Sequence, residues 1–221
     1  MIITLDGPAG AGKSSAARSL ASRLGWCYID TGAMYRSLAL IALERNISLE
    51  DSLQLAQLAE VLQIVFLDGR VLVEGRDVSA EIRTDRITAA TRPVADAPLV
   101  REAMKSVQRK MAEGSDVVTE GRDQGSVVFP DADLKVFLTA SATERARRRH
   151  LEEVSRGTQA TLAAVLESQS RRDEADQTRP VGALRPADNA FIFQTDELSP
   201  EEVVDRLVGM IESLIHDHNE S

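Results

Sequence analysis

The sequence predicts an α/β fold in which a parallel sheet is flanked by helices. Short apolar runs, which indicate buried strands, alternate with segments of helical period near both ends of the chain. A glycine-rich turn joins the first such run to the first helical segment. Between these parts, residues 64–92 carry a hairpin pattern that does not fit a parallel sheet and indicates a small inserted antiparallel β unit. We expect one domain over residues 1–221, with that unit, at about 64–92, as its subdomain.

The first part of the chain alternates strand and helix. Met1–Leu5 is a short apolar run typical of a buried strand. The helical pattern of Lys13–Leu24 is followed by Gly25, a residue that favours the left-handed turn after a helix. A second strand is predicted over 26–29, with helices over 35–45 and 53–62. In the inserted unit, Asp68-Gly69 separates two apolar runs, which predicts a hairpin.

Pro93 and Pro98 mark the end of the inserted unit, and the alternation resumes after it. Helices are predicted over 99–113, 144–154, 162–172 and from Pro200 onward, and strands over 116–119, 134–138 and 190–193. The stretch 172–189 contains two prolines and one glycine, which indicates a loop.

The composition excludes several classes of protein. The net charge is −9, and residues 196–221 hold eight acidic residues against one basic residue, which is not typical of a nucleic-acid-binding protein. No stretch approaches the roughly 18 unbroken apolar residues of a membrane helix. The single cysteine, Cys27, precludes an internal disulfide and a multi-cysteine zinc site, and we expect it to pack in the core. We therefore expect a cytoplasmic protein with neither nucleic acid nor membrane as a partner.

The glycine-rich turn matches a phosphate-binding loop, or P-loop: glycine, four residues, glycine, lysine and serine. Its glycines let several backbone N–H groups turn toward one phosphate, and the next helix adds the positive end of its dipole. Lys13 would reach the β- and γ-phosphates, and the Ser14 hydroxyl would bind Mg²⁺. We therefore predict a P-loop NTPase-type fold, with ATP bound by Gly7, Pro8, Ala9, Gly10, Ala11, Gly12, Lys13, Ser14 and Ser15.

Two further segments follow predicted strands, where open α/β sheets bind their ligands. Asp30-Thr31-Gly32-Ala33-Met34-Tyr35-Arg36 follows the second strand and offers a hydroxyl, an aromatic ring and a guanidinium. Glu120-Gly121-Arg122-Asp123 follows the strand predicted over 116–119. The same tetrapeptide occurs at 74–77, after an arm of the hairpin, and we interpret that copy as a turn.

Arginines are abundant, 22 against four lysines, and several are clustered. One helix holds Arg145, Arg147, Arg148 and Arg149, and the stretch after it holds Arg172, Arg179 and Arg185. Beside a triphosphate, such residues can neutralise the transferring phosphoryl group. An alcohol acceptor needs a general base, whereas a nucleoside monophosphate is already an anion at neutral pH, because its second pKa is about 6. The arginines therefore favour a phosphate acceptor.

Together these motifs resemble the bacterial cytidylate kinase family of P-loop nucleoside monophosphate kinases, and the resemblance covers nearly the whole chain. The resemblance rests on the P-loop and on the segments that begin at Asp30 and Glu120, which we call the acceptor segments. It also rests on Val100-Arg101-Glu102-Ala103, Gly121–Gly125, Val128–Ala132, and Arg172-Asp173 with Asp176 and Arg179. The resemblance implies an enzyme of pyrimidine metabolism that transfers the γ-phosphoryl group of ATP, with Mg²⁺, to CMP or dCMP. It also implies that residues 64–92 form the monophosphate-binding subdomain and that residues 145–189 form a mobile, Arg-rich lid.

The resemblance implies roles for individual residues as well. CMP would be bound by Thr31, Tyr35, Arg36, Arg101, Arg122, Asp123, Asp176 and Arg179, and the catalytic residues would be Lys13, Arg122, Arg148 and Arg172. Arg36, Arg122 and Arg179 would lie at the CMP phosphate, and Asp176 at a sugar hydroxyl. Arg101 and Asp123 would contact the cytosine edge, where a carboxylate can accept from the N4 amine that uracil lacks.

The chain departs from the family pattern at two positions. Arg92, next to Thr91, stands where many relatives carry a serine that contacts the base. Glu120 stands in place of an aspartate, which keeps the charge and lengthens the side chain by one methylene.

Two other functions stay open at this stage. One is a regulatory protein that hydrolyses ATP slowly and binds a partner through the inserted unit. The other is a P-loop kinase that acts on a small alcohol, which would need a carboxylate base. A GTPase switch is disfavoured because the sequence has no Asn-Lys-x-Asp motif. We expect the chain to act as a monomer.

Overall fold

The computed structural model describes residues 1–155, 157 and 159–219, and only the backbone of residues 217–219. Arg156 and Thr158 of the predicted lid lie outside the described residues, as do Glu220 and Ser221. The strands are β1 (Ile2–Asp6), β2 (Cys27–Asp30), β3 (Ile64–Leu67), β4 (Arg70–Val73), β5 (Arg76–Asp77), β6 (Val117–Gly121), β7 (Leu134–Thr139) and β8 (Phe191–Gln194). The helices are α1 (Lys13–Leu24), α2 (Thr31–Glu44), α3 (Ser52–Val61), α4 (Asp85–Asp96), α5 (Pro98–Ala112), α6 (Ala142–Ser155), α7 (Leu162–Gln177) and α8 (Pro200–Asn219).

The strands form two sheets, and the predicted α/β fold is confirmed. The larger sheet has the strand order β2-β6-β1-β7-β8, and its pairs β1–β6, β1–β7 and β7–β8 are parallel. The smaller sheet is antiparallel, in the order β3-β4-β5. The chain divides into two compact units, of which unit 1 comprises Met1–Trp26 with Val117–Ser221, and unit 2 comprises Cys27–Asp116.

Unit 1 has its core in the parallel strands and in the helices that cover them. Ile3 and Leu5 of β1 and Leu138 of β7 are fully buried, and so are Leu207 and Ile211 of α8. Each such side chain stabilises the fold by about 1.5–3 kcal/mol relative to an exposed one. In the ladder between β1 and β6, Asp6 is paired in register with Gly121. The loops that follow these two strands therefore begin side by side.

Unit 2 contains the predicted hairpin. Asp68 and Gly69 both have positive φ, at 50° and 74°, as a two-residue hairpin turn of type I′ requires. Glu74, at a φ of 50°, and Gly75 make a second turn, and the copy of the Glu-Gly-Arg-Asp tetrapeptide then ends in the short strand β5. The division into one domain, a subdomain at 64–92 and a lid at 145–189 stays a prediction.

Helix α7 continues to Gln177, although a loop was predicted from Arg172 onward. Thr161 caps the start of the helix, because its hydroxyl accepts a hydrogen bond from Ala164 N at 3.3 Å. Its buried residues are Val165, Gln169, Asp173 and Asp176, and three of these four are polar. A search for apolar residues at helical spacing misses a helix that buries polar residues, which is why the prediction was wrong.

Two other local expectations were also wrong. Pro93, taken as a boundary, lies inside helix α4, which buries Ile87 and Val94. These two residues are seven apart, so two turns of helix bring them to the same face in spite of the missing N–H of the proline. Cys27 is exposed at the start of β2, where burial begins only at Ile29. Within the described part of the chain, no helix is both long and apolar enough to cross a membrane.

Candidate active site

The P-loop runs from the end of β1 to the start of α1, and its backbone needs glycine at specific places. A Cβ atom on Gly7 would lie 1.9 Å from the carbonyl oxygen of Leu138, and one on Gly10 would lie 3.0 Å from that of Arg145. Gly12 caps α1 at a φ of 88° without a side-chain hydrogen bond, and the first turn of this fully described helix has no acidic residue. The N-terminus of α1 is thus suited to an anion.

Lys13 and Ser14 follow these glycines. The Nζ of Lys13 is buried and donates to the carbonyl oxygen of Pro8 at 2.8 Å. The pKa of Lys13 is lowered to about 7, chiefly by burial and also by the charges of Arg122 and Arg172. The Ser14 hydroxyl donates to Oε1 of Glu120, the next-to-last residue of β6, at 2.7 Å. Two oxygen donors of the kind that Mg²⁺ prefers therefore lie next to the P-loop lysine.

Asp6 fixes the segment that follows β6. Its carboxylate accepts hydrogen bonds from the backbone N–H of Gln124 at 2.9 Å and of Gly125 at 2.8 Å. The pKa of Asp6 is raised to about 6, because burial outweighs these two hydrogen bonds. The bonds begin directly after Asp123, which is itself buried. The resemblance implied that Asp123 contacts cytosine. The sequence analysis did not identify Asp6, whose carboxylate binds the backbone directly after Asp123, as a site residue.

Asp176 forms ion pairs with two arginines of unit 1. Its Oδ2 accepts from Nε of Arg122 at 2.8 Å, and its Oδ1 accepts from Nη2 of Arg179 at 2.9 Å. Burial alone would raise the pKa of Asp176, but Arg122, Arg179 and Arg172 outweigh it and lower the pKa below its ordinary value. Asp176 thus contacts Arg122 and Arg179, two residues that the resemblance assigns to the CMP phosphate, whereas Asp176 itself was assigned to the sugar.

Arg148 is held beside the P-loop. Its Nε donates to Glu144 at 2.8 Å, its Nη1 to the Thr195 hydroxyl at 3.0 Å and its Nη2 to the Thr195 carbonyl oxygen at 2.6 Å. A Cβ on Gly12 would lie 3.9 Å from this Nη1. The charge of Arg172 acts on Lys13, which places Arg172 near the loop as well.

The other arginines of α6 differ from the prediction that the cluster acts as phosphate clamps. Arg147 pairs with Glu144 at 2.7 Å, and Arg149 pairs with Glu153 at 2.9 Å, within α6. Arg145 is buried and donates to backbone carbonyl oxygens. Sequence spacing shows which arginines share a helix, but it does not show which of them reach the loop.

The acceptor segment of unit 2 begins at the N-terminus of α2. Asp30 caps this helix by accepting from Ala33 N at 2.7 Å, and it also lies 3.5 Å from Nη2 of Arg36. The Nε of Arg36 is buried and bonds to no acceptor among the described residues. The guanidinium of Arg101 lies over the ring of Tyr35, 5.9 Å from its centroid. Thr31, the first residue of α2, is buried.

Arg92, which departs from the family pattern, lies on α4. Its side chain is 67% exposed, and its Nε lies 3.7 Å from Asp96 one turn later. The adjacent Thr91 hydroxyl donates to the carbonyl oxygen of Ile87 at 2.7 Å. The side chain of Arg92 therefore lies on the surface of α4, beside Asp96 of the same helix.

The predicted site residues fall into both units. Unit 1 holds the whole P-loop, Ser15, Arg122, Asp123, Arg148, Arg172, Asp176 and Arg179, and unit 2 holds Thr31, Tyr35, Arg36 and Arg101. In unit 1, the contacts described above join the phosphate loop to Glu120 and join the arginines to Asp176. This combination of a parallel sheet, a P-loop and half-buried arginines paired with carboxylates defines a P-loop phosphotransferase.

The comparison with known proteins identifies the family. The family model described as "Cytidylate kinase" matches residues 3–213, and the chain belongs to this family. A cytidylate kinase of Rhodopirellula baltica is 46% identical over 97% of this chain and 94% of its own length. One of Caldanaerobacter subterraneus is 47% identical over 95% of this chain and 93% of its own.

The solved structures show the fold alone. An uncharacterized protein from Eubacterium ventriosum has a TM-score of 0.57 at 11% identity, and the match covers 96% of this chain and 99% of that one.

Proposed function

We propose that the chain transfers the γ-phosphoryl group of ATP to CMP or dCMP, giving ADP and CDP or dCDP. The observation that carries this function is the arrangement in unit 1. Lys13 and Ser14 begin the helix that follows β1, Ser14 contacts Glu120 of the adjacent strand β6, and Arg122, paired with Asp176, begins the loop after β6. One edge of the sheet thus carries both a donor-phosphate loop and cations for a second phosphate.

We assign ATP to the P-loop. Its N–H groups and the N-terminus of α1 would bind the phosphates, and Lys13 would neutralise the β- and γ-phosphates. A hydroxyl and a carboxylate 2.7 Å apart are hard oxygen donors and fit Mg²⁺, so Ser14, supported by Glu120, would hold it. When bound, Mg²⁺ supplies charge neutralisation on the phosphates.

The arginines of unit 1 account for the transfer step. Two anions repel each other as they approach, and the transition state spreads negative charge over the oxygens of the transferring group. Arg122, Arg148 and Arg172 are proposed to offset that charge. Asp176 holds Arg122, and Glu144 and Thr195 hold Arg148, so these two arginines need little reorganisation during the reaction.

CMP is assigned to the remaining residues. In unit 2, Arg36 would bind the phosphate, and its buried Nε has no protein acceptor among the described residues, as expected of a group reserved for a ligand. Thr31, Tyr35 and Arg101 would complete that set. In unit 1, Arg122 and Arg179 would contact the phosphate, Asp176 the sugar and Asp123 the cytosine amine.

The carboxylates near the loop support a phosphate acceptor over an alcohol. Both oxygens of Asp6 accept backbone N–H groups, Glu120 accepts from Ser14, and Asp176 is paired with two arginines. An alcohol would need a carboxylate as its general base, and these three carboxylates are already engaged in hydrogen bonds or ion pairs. A monophosphate is already ionised and needs none.

The decisive experiment is an ADP-release assay with ATP, Mg²⁺ and equal concentrations of CMP, dCMP, UMP, AMP and shikimate. Fast turnover with CMP and dCMP supports the proposal, shikimate turnover would favour an alcohol acceptor, and ATP hydrolysis unaffected by every acceptor would favour a regulatory protein. Lys13→Ala should abolish turnover, and Lys110→Ala, at an exposed lysine of α5, should leave it unchanged. Full activity of Lys13→Ala would refute the mechanism.

We further propose that the chain works as a monomer in the cytoplasm, without nucleic acid or membrane partners. Every residue assigned above comes from one chain, so catalysis requires no second copy. Light scattering at assay concentrations measures the mass of the particle in solution, and the mass of a dimer would contradict the monomer.

A further inference from the structure

A buried ion pair holds one residue of the P-loop by both of its backbone groups. Nη1 of Arg145, on α6, donates to the carbonyl oxygen of Ala9 at 2.9 Å. Oδ1 of Asp173, on α7, accepts from the N–H of Ala9 at 3.4 Å. The two side chains are joined by a salt bridge through the same Nη1 and the other carboxylate oxygen, Oδ2. We call Arg145 and Asp173 the Ala9 bracket.

The bracket is a defined part of the interior. Arg145 and Asp173 are each 8% exposed, and the Nε of Arg145 donates to Ala140 O at 3.0 Å. Gln169, one turn before Asp173, is equally buried, and its Nε2 lies 3.4 Å from the carbonyl oxygen of Arg145. A Cβ on Gly10 would lie 2.8 Å from that Nε2, so the next residue of the loop is also packed against the bracket.

The two residues of the Ala9 bracket lie next to Arg148 on α6 and Arg172 on α7. Arg148 lies one turn after Arg145 on the same face of α6, and Arg172 is adjacent to Asp173. The loop itself carries Gly7, Gly10 and Gly12 at positive φ, a conformation that local propensity does not fix. Its N–H groups bind phosphate only if the backbone keeps that conformation.

We propose that Arg145 and Asp173 are positioning residues for the P-loop. By holding Ala9 between α6 and α7, they keep the loop in its phosphate-binding conformation. They also fix the position of the loop relative to Arg148 and Arg172. This inference rests on the proposed ATP-binding function of the loop. It assigns the pair to the binding of the triphosphate, not of the acceptor or the nucleoside.

The alternative is an ion pair that only stabilises the fold, and the two can be separated. Removing one partner of a buried pair strands a charge and destabilises the fold, whereas replacing both partners with apolar residues is often neutral for stability. The double variant Arg145→Met/Asp173→Leu should therefore recover most of the stability lost in either single variant. It cannot restore the hydrogen bonds to Ala9.

The experiment measures equilibrium binding of ATP and of inorganic triphosphate, the KM for CMP and the melting temperature. The variants are Asp173→Asn, Arg145→Lys and the double variant. The matched control is Glu167→Gln, which removes the charge of an exposed carboxylate on α7 that pairs with Arg171 away from the loop. We expect the bracket variants to bind both phosphate ligands about tenfold more weakly, a change equivalent to about 1.4 kcal/mol, with the KM for CMP and the control unchanged.

Three results would overturn the proposal. The double variant could regain ATP affinity together with its melting temperature, which would make the pair purely stabilising. ATP binding could weaken while triphosphate binding did not, which would place the effect on the nucleoside. The variants could also bind both ligands as the wild type does. Because binding is measured without an acceptor, a wild type that binds ATP but does not phosphorylate CMP would refute the proposed function alone.

Discussion

The hydroxyl of Ser14 donates a 2.7 Å hydrogen bond to Oε1 of Glu120, and this contact joins the start of α1 to the end of β6. The register between β1 and β6 makes it possible, because Asp6 and Gly121 are partners at the ends of the two strands. Glu120 is 5% exposed, so its charge acts in a weakly screened environment.

Glu120→Gln should weaken the binding of Mg²⁺ more than it weakens the binding of ATP. The amide keeps the shape of the side chain but removes the negative charge that supports the cation held by Ser14. We expect the Mg²⁺ concentration at half-maximal turnover to rise by about tenfold, as for the loss of a hydrogen bond to a charged group. Mg²⁺ titrations of turnover test this, with Glu174→Gln on α7 as the control, and identical titrations for Glu120→Gln and wild type would contradict it.

ATP binding should take up a proton above neutral pH. Because the pKa of Lys13 is about 7 without ligand, the amine is mostly neutral at about pH 8.5 and must be charged again to bind a phosphate. ATP affinity should therefore fall as the pH rises above about 7, by up to about tenfold per pH unit. Calorimetry in two buffers of different ionisation enthalpy measures the uptake. The Lys13→Arg variant keeps its charge at all these pH values, so it should bind ATP without taking up this proton. Equal proton uptake by the wild type and the variant would refute the assignment of the proton to Lys13.

Asp176→Asn should weaken acceptor binding selectively. The carboxylate holds Arg122 and Arg179, and its lowered pKa shows that the ionised form is the one that these arginines favour. Losing a charged hydrogen bond costs about 1.5–3 kcal/mol, so we expect the KM for CMP to rise by about tenfold or more. The KM for ATP should stay within about twofold. Glu174→Gln, at an exposed residue of the same helix, is the control, and an equal rise in both KM values would argue against a role specific to CMP.

Asp123→Asn should reduce the preference for CMP over UMP. A carboxylate accepts from the N4 amine of cytosine, whereas an amide can also donate to the O4 of uracil. We expect the ratio of kcat/KM values for CMP and UMP to fall by about tenfold or more. The ratio for CMP and dCMP serves as an internal control, because Asp123 is not assigned to the sugar. If the CMP-to-UMP ratio did not change, base selection would lie elsewhere.

Local sequence determined much of the framework. Gly12 and Gly25 set the two ends of α1 where the sequence predicted them, and the Asp68-Gly69 turn fixed the hairpin between β3 and β4. The phosphate loop, with Lys13 and Ser14, was equally clear. Each of these features depends on backbone conformations and hydrogen bonds among residues close in the chain, and residue type reports those directly.

The tertiary structure alone decided which polar residues are buried and paired. Arg145 and Asp173 are 28 residues apart in the chain, and Ala9 lies another 136 residues before Arg145. Helix α7 was missed beyond Arg172 because its buried face is polar, and the same face supplies Asp173 and Asp176. A charged residue is stable in the interior only opposite its partner, and the fold, not the local sequence, brings the partners together. The sequence therefore determined the phosphate loop, and the packing of α6 and α7 determined which arginines and carboxylates serve it.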